Sequence, residues 1–159
     1  MKVALDAMGG DHAPAVNIGG AIDALRYYPK LQHLYLVGDH AVLTAESAKQ
    51  GLDLSDPRVS IVHAPEVIGM GEPGAKTVRR KKLSSINVAM DMVKDGKADA
   101  FVSAGNTGGA VAAATLKLRT LSGVDRAGIA TAIPNEFGLC HILDAGANPE
   151  AKPEPVPAA

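Results

Sequence analysis

Residues 4–14, ALDAMGGDHAP, decide how the chain begins its fold. An apolar run ends at a carboxylate, two glycines follow, and a second carboxylate, a histidine and Pro14 precede the next apolar positions. This order is typical of a strand that turns on glycines into a helix, because proline is tolerated in the first helical turn. We predict a strand over Lys2–Leu5 and a helix that starts at Pro14 and ends near Tyr28, before Pro29.

The rest of the chain repeats this alternation of short apolar runs and longer segments whose apolar residues stand three or four apart. The short runs predict strands and the longer segments predict helices. Strand and helix in alternation predict an α/β fold, a three-layer sandwich in which helices cover both faces of a mostly parallel sheet. The further predicted elements are strands over Leu34–Val37, Val59–Val62, Ala100–Val102 (buried), Gly128–Ile133 and Leu139–Leu143, and helices over His40–Gln50, over Thr77–Lys94 and from the SAGNTGG segment to about Leu121.

The last two predicted strands are too close in sequence for a helical crossover, so we predict an antiparallel hairpin with its turn at Pro134-Asn135. Cys140 lies within this apolar pattern, where a buried cysteine that acts as a small apolar residue fits better than a nucleophile. The Pro- and Ala-rich residues 149–159 carry no apolar period. We therefore predict one α/β domain over residues 1–148 and an extended tail over residues 149–159.

The composition argues against several function classes. The 159 residues carry a formal net charge of -1 and only 3% aromatic residues, which gives neither the charge nor the stacking surface of a nucleic-acid-binding protein. The single cysteine excludes an internal disulfide and fits a reducing compartment. The N-terminus shows no signal-peptide pattern, and no segment is long and apolar enough to span a bilayer. We expect a soluble, cytoplasmic protein.

Two glycine-containing loops are the best candidates for a binding site. Asp6–His12 follows the first predicted strand, Ser103–Gly109 follows a later one, and both run directly into helices. Ligands bind at the carboxyl ends of parallel strands, glycines let them approach the backbone, and a helix N-terminus favours an anion. The competing interpretation is a helix capped by Asn106 or Thr107 that packs on the sheet through small residues, with Asp11 serving only the turn.

Three other motifs are weaker. Gly69–Gly74, GMGEPG, matches the G-x-G-x-x-G pattern, but several residues separate it from the preceding strand, which disfavours a dinucleotide site. His12 has no further ligand nearby at metal-binding spacing, and no G-x-S-x-G segment marks a hydrolytic serine. We expect no metal and no organic cofactor.

The basic run RRKK, Arg79–Lys82, lies within the longest predicted helix. On a continuous helix with Val78 as origin, Lys82 falls at about 40°, inside the apolar stripe, and Arg79 at about 100°, near its edge. The other two basic residues point away from the stripe. We predict that Lys82 and Arg79 project toward the sheet, where a phosphate or a carboxylate of the first loop neutralises them.

Four segments in order, ALDAMGGDHAP, LVGD, VRRKKLSSINVAMDMVKDGKADAFVSAGNTGGA and DAGAN, together resemble the bacterial phosphate acyltransferase family of phospholipid synthesis. The resemblance extends to about Glu154 and corresponds to the N-terminal part of the family's chain. It implies an architecture similar to phosphotransacetylases and isocitrate-dehydrogenase-like folds. It also implies transfer of a fatty-acyl group from acyl carrier protein to inorganic phosphate, which gives acyl phosphate, a homodimer in the full-length family, and peripheral membrane contact through the portion beyond this segment.

The resemblance, taken with the loops, implies roles for individual residues. Lys82, His12 and Asp11 are the candidate catalytic residues, and His12 is suited to protonate the departing sulfur or to orient the attacking oxygen. The candidate phosphate-binding residues are Asn106, Thr107, Gly108, Arg79, Gly9 and Gly10. Two alternatives stay open: a non-catalytic anion- or nucleotide-binding α/β domain, and a truncated half-domain that is inactive on its own.

Overall fold

The computed structural model describes residues 1–124 and 127–145. Contacts between residues divide the chain into two units, Met1–Leu118 and Arg119–Ala159. The first unit contains the α/β fold and all the predicted site residues, and the second contains a hairpin. The predicted boundary at residue 148 and the predicted tail over residues 149–159 lie outside the described residues.

The first unit alternates strands and helices, as the apolar pattern predicts. Its four strands form one parallel sheet in the order β3-β2-β1-β4, and β1 pairs with both β2 and β4. Within the described residues, no helix is both long and apolar enough to cross a bilayer. The elements are β1 (Lys2–Asp6), α1 (Ala15–Tyr27), β2 (His33–Gly38), α2 (His40–Gln50), β3 (Val59–His63), α3 (Gly74–Arg80), α4 (Ser85–Lys94), β4 (Ala100–Ser103) and α5 (Thr107–Lys117).

The sheet is the middle of three layers, because successive side chains of a strand face opposite sides. Leu36 packs with Ile18 of α1 and with α2 on one face. Ala4 and Val37 pack with Ala89 of α4 on the other face. The predicted three-layer α/β sandwich with a parallel sheet is therefore confirmed.

Helix α2 matches its predicted range because both of its ends are encoded locally. The Asp39 carboxylate accepts a hydrogen bond from the Val42 N–H at 3.0 Å, and Gly51 ends the helix with a φ of 76°. A carboxylate cap and a left-handed glycine are the usual start and stop signals of a helix. Helix α5, in contrast, ends at Lys117 rather than near Leu121.

Strand β4 is an edge strand, and the prediction of a buried strand at Ala100–Val102 is wrong. Among the strands that the structure describes, β4 pairs only with β1, and the Val102 side chain is 50% exposed. Its apolar residues lie beside one neighbouring strand instead of two. An apolar run therefore identified the strand correctly but not its place in the sheet.

The prediction of a single helix over Thr77–Lys94 is also wrong, because the helix is interrupted between α3 and α4. Asn87 donates its side-chain amide to the carbonyls of Val78 and Lys81, at 2.9 and 2.8 Å, and so occupies the end of α3. Ser84 caps α4 by accepting the Asn87 N–H at 3.3 Å, and Glu66 accepts the Leu83 N–H at 3.0 Å. These contacts redirect the backbone over residues 81–84.

The second unit contains an antiparallel hairpin, β5 (Ala130–Asn135) and β6 (Gly138–Leu143), which confirms the predicted pairing. The turn is at residues 136–137 and not at Pro134-Asn135, because the Asn135 side chain accepts the Phe137 N–H at 2.8 Å. Cys140 is exposed, as are all residues of β6, so the prediction of a buried cysteine is wrong. A two-stranded ribbon has no second layer of its own to cover it.

Candidate functional site

Two loops leave the carboxyl edge of the sheet side by side. The first glycine loop (residues 7–12) follows β1, and the second glycine loop (residues 104–106) follows β4, whose Ser103 stands opposite Asp6. A Cβ atom on Gly9 would lie 2.9 Å from the Cα of Gly105, which is too close for any side chain. The backbones of the two loops are therefore in direct contact.

A buried carboxylate joins these two loops. Asp6 is fully buried, and its Oδ2 accepts a hydrogen bond from the Ser103 hydroxyl at 2.7 Å. The Ser103 oxygen in turn accepts the Gly105 N–H at 3.0 Å, and the other oxygen of Asp6 accepts the Met8 N–H at 3.2 Å. Because charge-assisted hydrogen bonds are the strong ones, this chain of three contacts fixes both loops to the ends of their strands.

A second buried group holds the first glycine loop from the helix side. The amide of Asn17, in α1, donates to the carbonyl oxygens of Ala7 and Gly9 at 3.0 and 2.9 Å. Gly10 adopts a φ of 105°, which side chains rarely allow. The loop is therefore fixed at its base, while Asp11 and His12 at its tip are exposed.

Asn106 begins α5, and its side chain is fully engaged within the protein. Its Oδ1 accepts the Gly109 N–H at 2.8 Å, which confirms a capping role. Its Nδ2 donates to the carbonyls of Gly69, Met70 and Glu72 at 3.0, 3.2 and 2.8 Å. Backbone groups and the hydroxyl of Thr107 therefore remain to bind an anion at this end of α5.

The first turn of α5 supplies such groups. Thr107 and Gly108 are exposed, and the first N–H groups of a helix have no acceptor within the helix. The helix dipole adds a partial positive charge at the same place. The geometry suits a phosphate or carboxylate oxygen at the N-terminus of α5, next to the second glycine loop.

The third glycine loop (residues 69–73) contains most of the G-x-G-x-x-G motif and supports this turn. Glu72 accepts hydrogen bonds from the Gly69 N–H at 2.8 Å, from Lys81 at 2.6 Å and from Arg80 at 2.9 Å. The hydrogen bond from Lys81, followed by the one from the Gly69 N–H, holds the pKa of Glu72 below its ordinary value. The loop is thus tied to itself and to α3, and its carbonyls receive the Asn106 amide.

Helix α3 starts where this loop meets α5. A Cβ atom on Gly74 would lie 2.8 Å from the carbonyl oxygen of Gly108, so only glycine fits between the first turns of α3 and α5. The last glycine of the G-x-G-x-x-G motif therefore provides close helix packing, whereas a Cβ atom on Gly71 would meet nothing within 4 Å.

The structure does not bring Arg79 and Lys82 to the glycine loops. Both are exposed, and neither forms an ion pair or hydrogen bond with Asp6, Asp11 or His12 in the described parts of the chain. The helical wheel failed for Lys82 because the helix breaks after Arg80, which shifts the phase of everything beyond it, whereas Arg79 lies before the break on the exposed side of α3. Arg79 and Lys82 instead line a groove between α3, α4 and α5.

Lys81 is the lysine of this run that points inward. It is partly buried, with 25% of its side chain exposed, and it donates to Glu72 and to the Val67 carbonyl, both at 2.6 Å. Sequence reasoning missed this residue, together with Asn17, Ser103 and Glu72. Ser103 is the only one of these with a local signal, since its hydroxyl directly follows the strand predicted over Ala100–Val102.

The described residues hold no group of three or more histidine, cysteine or carboxylate side chains that could bind a metal ion. The polar contacts at the carboxyl edge link one loop to another. The chemistry that this edge offers is binding of an anion, with an exposed imidazole at His12 on the first glycine loop.

Comparison with known proteins identifies the family of this chain. A model of the fatty acid synthesis protein family matches residues 1–156. The chain belongs to this family. It is 56% identical over 153 residues to the phosphate acyltransferase of Akkermansia muciniphila, 50% identical over 153 residues to that of Pelotomaculum thermopropionicum and 47% identical over 152 residues to that of Methylococcus capsulatus. The resemblance found in the sequence is therefore confirmed.

The family match covers one part of each relative. Each of these alignments includes 96% of this chain but only 43% or 44% of the relative. The chain spans less than half the length of the curated relatives that it matches, and corresponds to their N-terminal part.

Proposed function

We propose that this chain is the phosphate-binding part of a phosphate acyltransferase that moves a fatty-acyl group from acyl carrier protein to inorganic phosphate. Family membership and the name of the relatives support acyl transfer to phosphate. The observation that carries the assignment of a site is the contact between the two glycine loops beside the open first turn of α5. In this proposal an anion binds at the first turn of α5, beside the joined glycine loops.

The proposed reaction needs little acid–base chemistry. A phosphate oxygen attacks the thioester carbonyl carbon, the new C–O bond forms as the C–S bond breaks, and the carrier departs as a thiol after taking up a proton. Phosphate is already ionised at neutral pH, so the site must chiefly position it and stabilise the developing negative charge on the carbonyl oxygen.

Individual residues take roles that follow from their positions. The backbone N–H groups of Thr107 and Gly108 and the Thr107 hydroxyl hold the phosphate. Gly9 is buried against Gly105 and holds the two loops together, so it does not line the space for the thioester. His12 is exposed and forms no side-chain hydrogen bond or ion pair with other described residues, so its imidazole is free to protonate the thiolate. Asp11 lies beside it, suited to orient the imidazole.

This proposal gives Asn106, Arg79 and Lys82 different roles from those expected of the sequence. Asn106 builds the phosphate site by capping α5 and anchoring the third glycine loop, and does not itself contact phosphate. Arg79 and Lys82 are assigned no part at the reacting atoms, because they lie on the groove between α3, α4 and α5.

The test is a phosphate titration with palmitoyl-acyl carrier protein as the substrate, in which acyl phosphate is trapped as the hydroxamate. Thr107→Val should raise the phosphate KM, and His12→Gln should lower kcat with little change in that KM. Thr115→Val is the matched control, since Thr115 is an exposed threonine of the same helix whose hydroxyl bonds only to the Val111 carbonyl.

Two outcomes of a thermal-shift measurement with phosphate would contradict the proposal. If phosphate raises the Tm of the chain but acyl phosphate never forms, the site is an anion-binding domain without catalysis, and the proposed reaction is wrong. If phosphate also leaves the Tm unchanged against an ionic-strength control, the anion site itself is wrong.

A further inference from the structure

A groove with a volume of about 630 Å³ runs between α3, the connection over residues 81–84, α4 and α5. We call it the basic groove, and its charged and large apolar lining consists of Arg79, Lys82, Leu83, Asp91, Leu116 and Lys117. All of these residues belong to the first unit of the chain. The glycine loops contribute no residue to its lining, so the groove is separate from the candidate phosphate site.

The groove carries unbalanced positive charge. Lys117 donates to both oxygens of Asp91 at 2.6 Å, so this pair is neutral as a unit. Arg79 and Lys82 form no ion pair with any residue that the structure describes. Lys76 is likewise unpaired in the described chain, and it shares a neighbouring depression with Arg79. Three cations of α3 and its connection therefore face solvent without a partner.

Exposed leucines lie beside these cations. The Leu83 and Leu116 side chains are 58% and 48% exposed, whereas Val78 and Ile86 close by are in the core. Leu83 is held outward because its backbone N–H is fixed to Glu66 at 3.0 Å. Apolar side chains flanked by cations around a concave surface are what an amphipathic acidic helix would complement.

The basic groove is also connected to the proposed phosphate site through helix α3. Its first residue, Gly74, packs against the first turn of α5 at Gly108. The same short helix then carries Lys76 and Arg79 away from that contact. A partner that lies along α3 would thus have one end close to the N-terminus of α5.

We propose that the basic groove docks the protein that presents the acyl group, through an acidic amphipathic helix whose apolar side chains contact Leu83 and Leu116. This inference rests on the proposed function, which supplies acyl carrier protein as the partner. Positive charge at the groove steers the acidic helix toward it, and the groove places the carrier beside the phosphate site. A flat anionic membrane fits less well, because Leu83 and Leu116 border a concave groove and do not project from a flat apolar face.

The experiment measures binding of fluorescently labelled holo-acyl carrier protein to the chain by anisotropy at low and at physiological salt. The double variant Arg79→Glu/Lys82→Glu should weaken binding at least tenfold at low salt and flatten its salt dependence. Lys30→Glu is the matched control, because Lys30 is an exposed lysine between α1 and β2, away from the groove. Equal losses in the control and in the double variant would overturn the proposal, as would absence of binding by the unaltered chain.

A second pair of measurements separates the remaining outcomes. Leu83→Ser/Leu116→Ser should weaken carrier binding several-fold with an unchanged salt dependence, and circular dichroism verifies that each variant keeps its fold. Vesicles of phosphatidylglycerol and phosphatidylcholine provide the membrane arm, and binding to vesicles that depends on Arg79 and Lys82 while the carrier does not bind contradicts the inference. Carrier binding through the groove by a chain that forms no acyl phosphate would sink the proposed function but leave the docking surface intact.

Discussion

The first and third glycine loops are each held by one carboxylate, but the two carboxylates work under opposite conditions. Asp6 is fully buried, and among the described residues its side chain accepts hydrogen bonds only from a hydroxyl and a backbone N–H. Glu72 is 28% exposed and accepts from two cations and a backbone N–H. Burial makes each contact of Asp6 costly to remove, whereas water screens the ion pairs of Glu72. We therefore expect large effects from changes around Asp6 and small, pH-dependent effects from changes at Glu72.

The largest effect is expected from Gly9→Ala. The added methyl group would meet the Asp6 carboxylate and would lie 2.9 Å from the Cα and N of Gly105, all of which are fixed. Forcing extra volume into such a contact costs about 1–3 kcal/mol or more. Thermal unfolding should show a clear fall in Tm together with loss of phosphate-induced stabilisation.

The matched control for this variant is Gly20→Ala, since a Cβ atom there meets nothing within 4 Å. Gly20 lies inside α1, where alanine is the better helix former, so its Tm should stay equal or rise. If Gly9→Ala is as stable as Gly20→Ala, the two loops do not touch as described.

The next largest effect is expected from Asp6→Ala. It leaves the Ser103 hydroxyl and the Met8 N–H, whose contacts are partly buried, without their acceptor. Water partly replaces the lost acceptor there, so the two contacts together cost about 1–3 kcal/mol, and roughly 3 °C of Tm corresponds to each kcal/mol in a chain of this size. Differential scanning calorimetry measures the loss, with Asp23→Ala, an exposed aspartate in the middle of α1, as the control.

A smaller loss is expected from Ser103→Ala, because it removes one donor to Asp6 and one acceptor for the Gly105 N–H but keeps the Met8 contact. Combining it with Asp6→Ala should add little, since both variants break the same hydrogen bond. A double-mutant cycle in urea measures this coupling. Strict additivity would show that Ser103 and Asp6 act independently and would contradict the bridge between the loops.

The comparison also shows which parts of this architecture a sequence can reveal. The bounds of α2 were predictable from the sequence, because Asp39 and Gly51 mark its two ends. The positions of the first and second glycine loops were predictable for the same reason, because each directly follows an apolar strand. The contact of Gly9 with Gly105 was not, since it depends on β4 lying next to β1.

The orientation of the basic run, Arg79–Lys82, could not be predicted from neighbouring residues. Ser84 is a local signal for a new helix, but the break before it depends on Asn87 and Glu66, which reach back or across from other parts of the unit. A helical wheel assumes one uninterrupted phase, so it assigned the inward position to Lys82 when Lys81 occupies it. Exposure of Cys140 escaped prediction because apolar strand residues are buried only if another layer covers them.

The smallest effect is expected from Glu72→Gln, and it should depend on pH. The pKa of Glu72 is lowered in the folded chain, chiefly by the hydrogen bond from Lys81. The stability that this carboxylate contributes is therefore complete above its ordinary pKa of 4.5 and declines as the pH falls from there through the lower folded pKa. Glu72→Gln should lower the Tm slightly at neutral pH, and the difference from the unaltered chain should vanish in acid.

Glu136→Gln provides the control for this prediction, since Glu136 is exposed in the hairpin turn. Lys81→Met should reproduce the pH dependence of Glu72→Gln, because it removes the donor that lowers the pKa, and the two changes together should cost little more than one. A Tm difference that persists unchanged at acid pH would mean that Glu72 acts through shape and not through charge. In that case the two carboxylates would hold their loops in the same way, and the contrast between a buried and a screened anchor would fail.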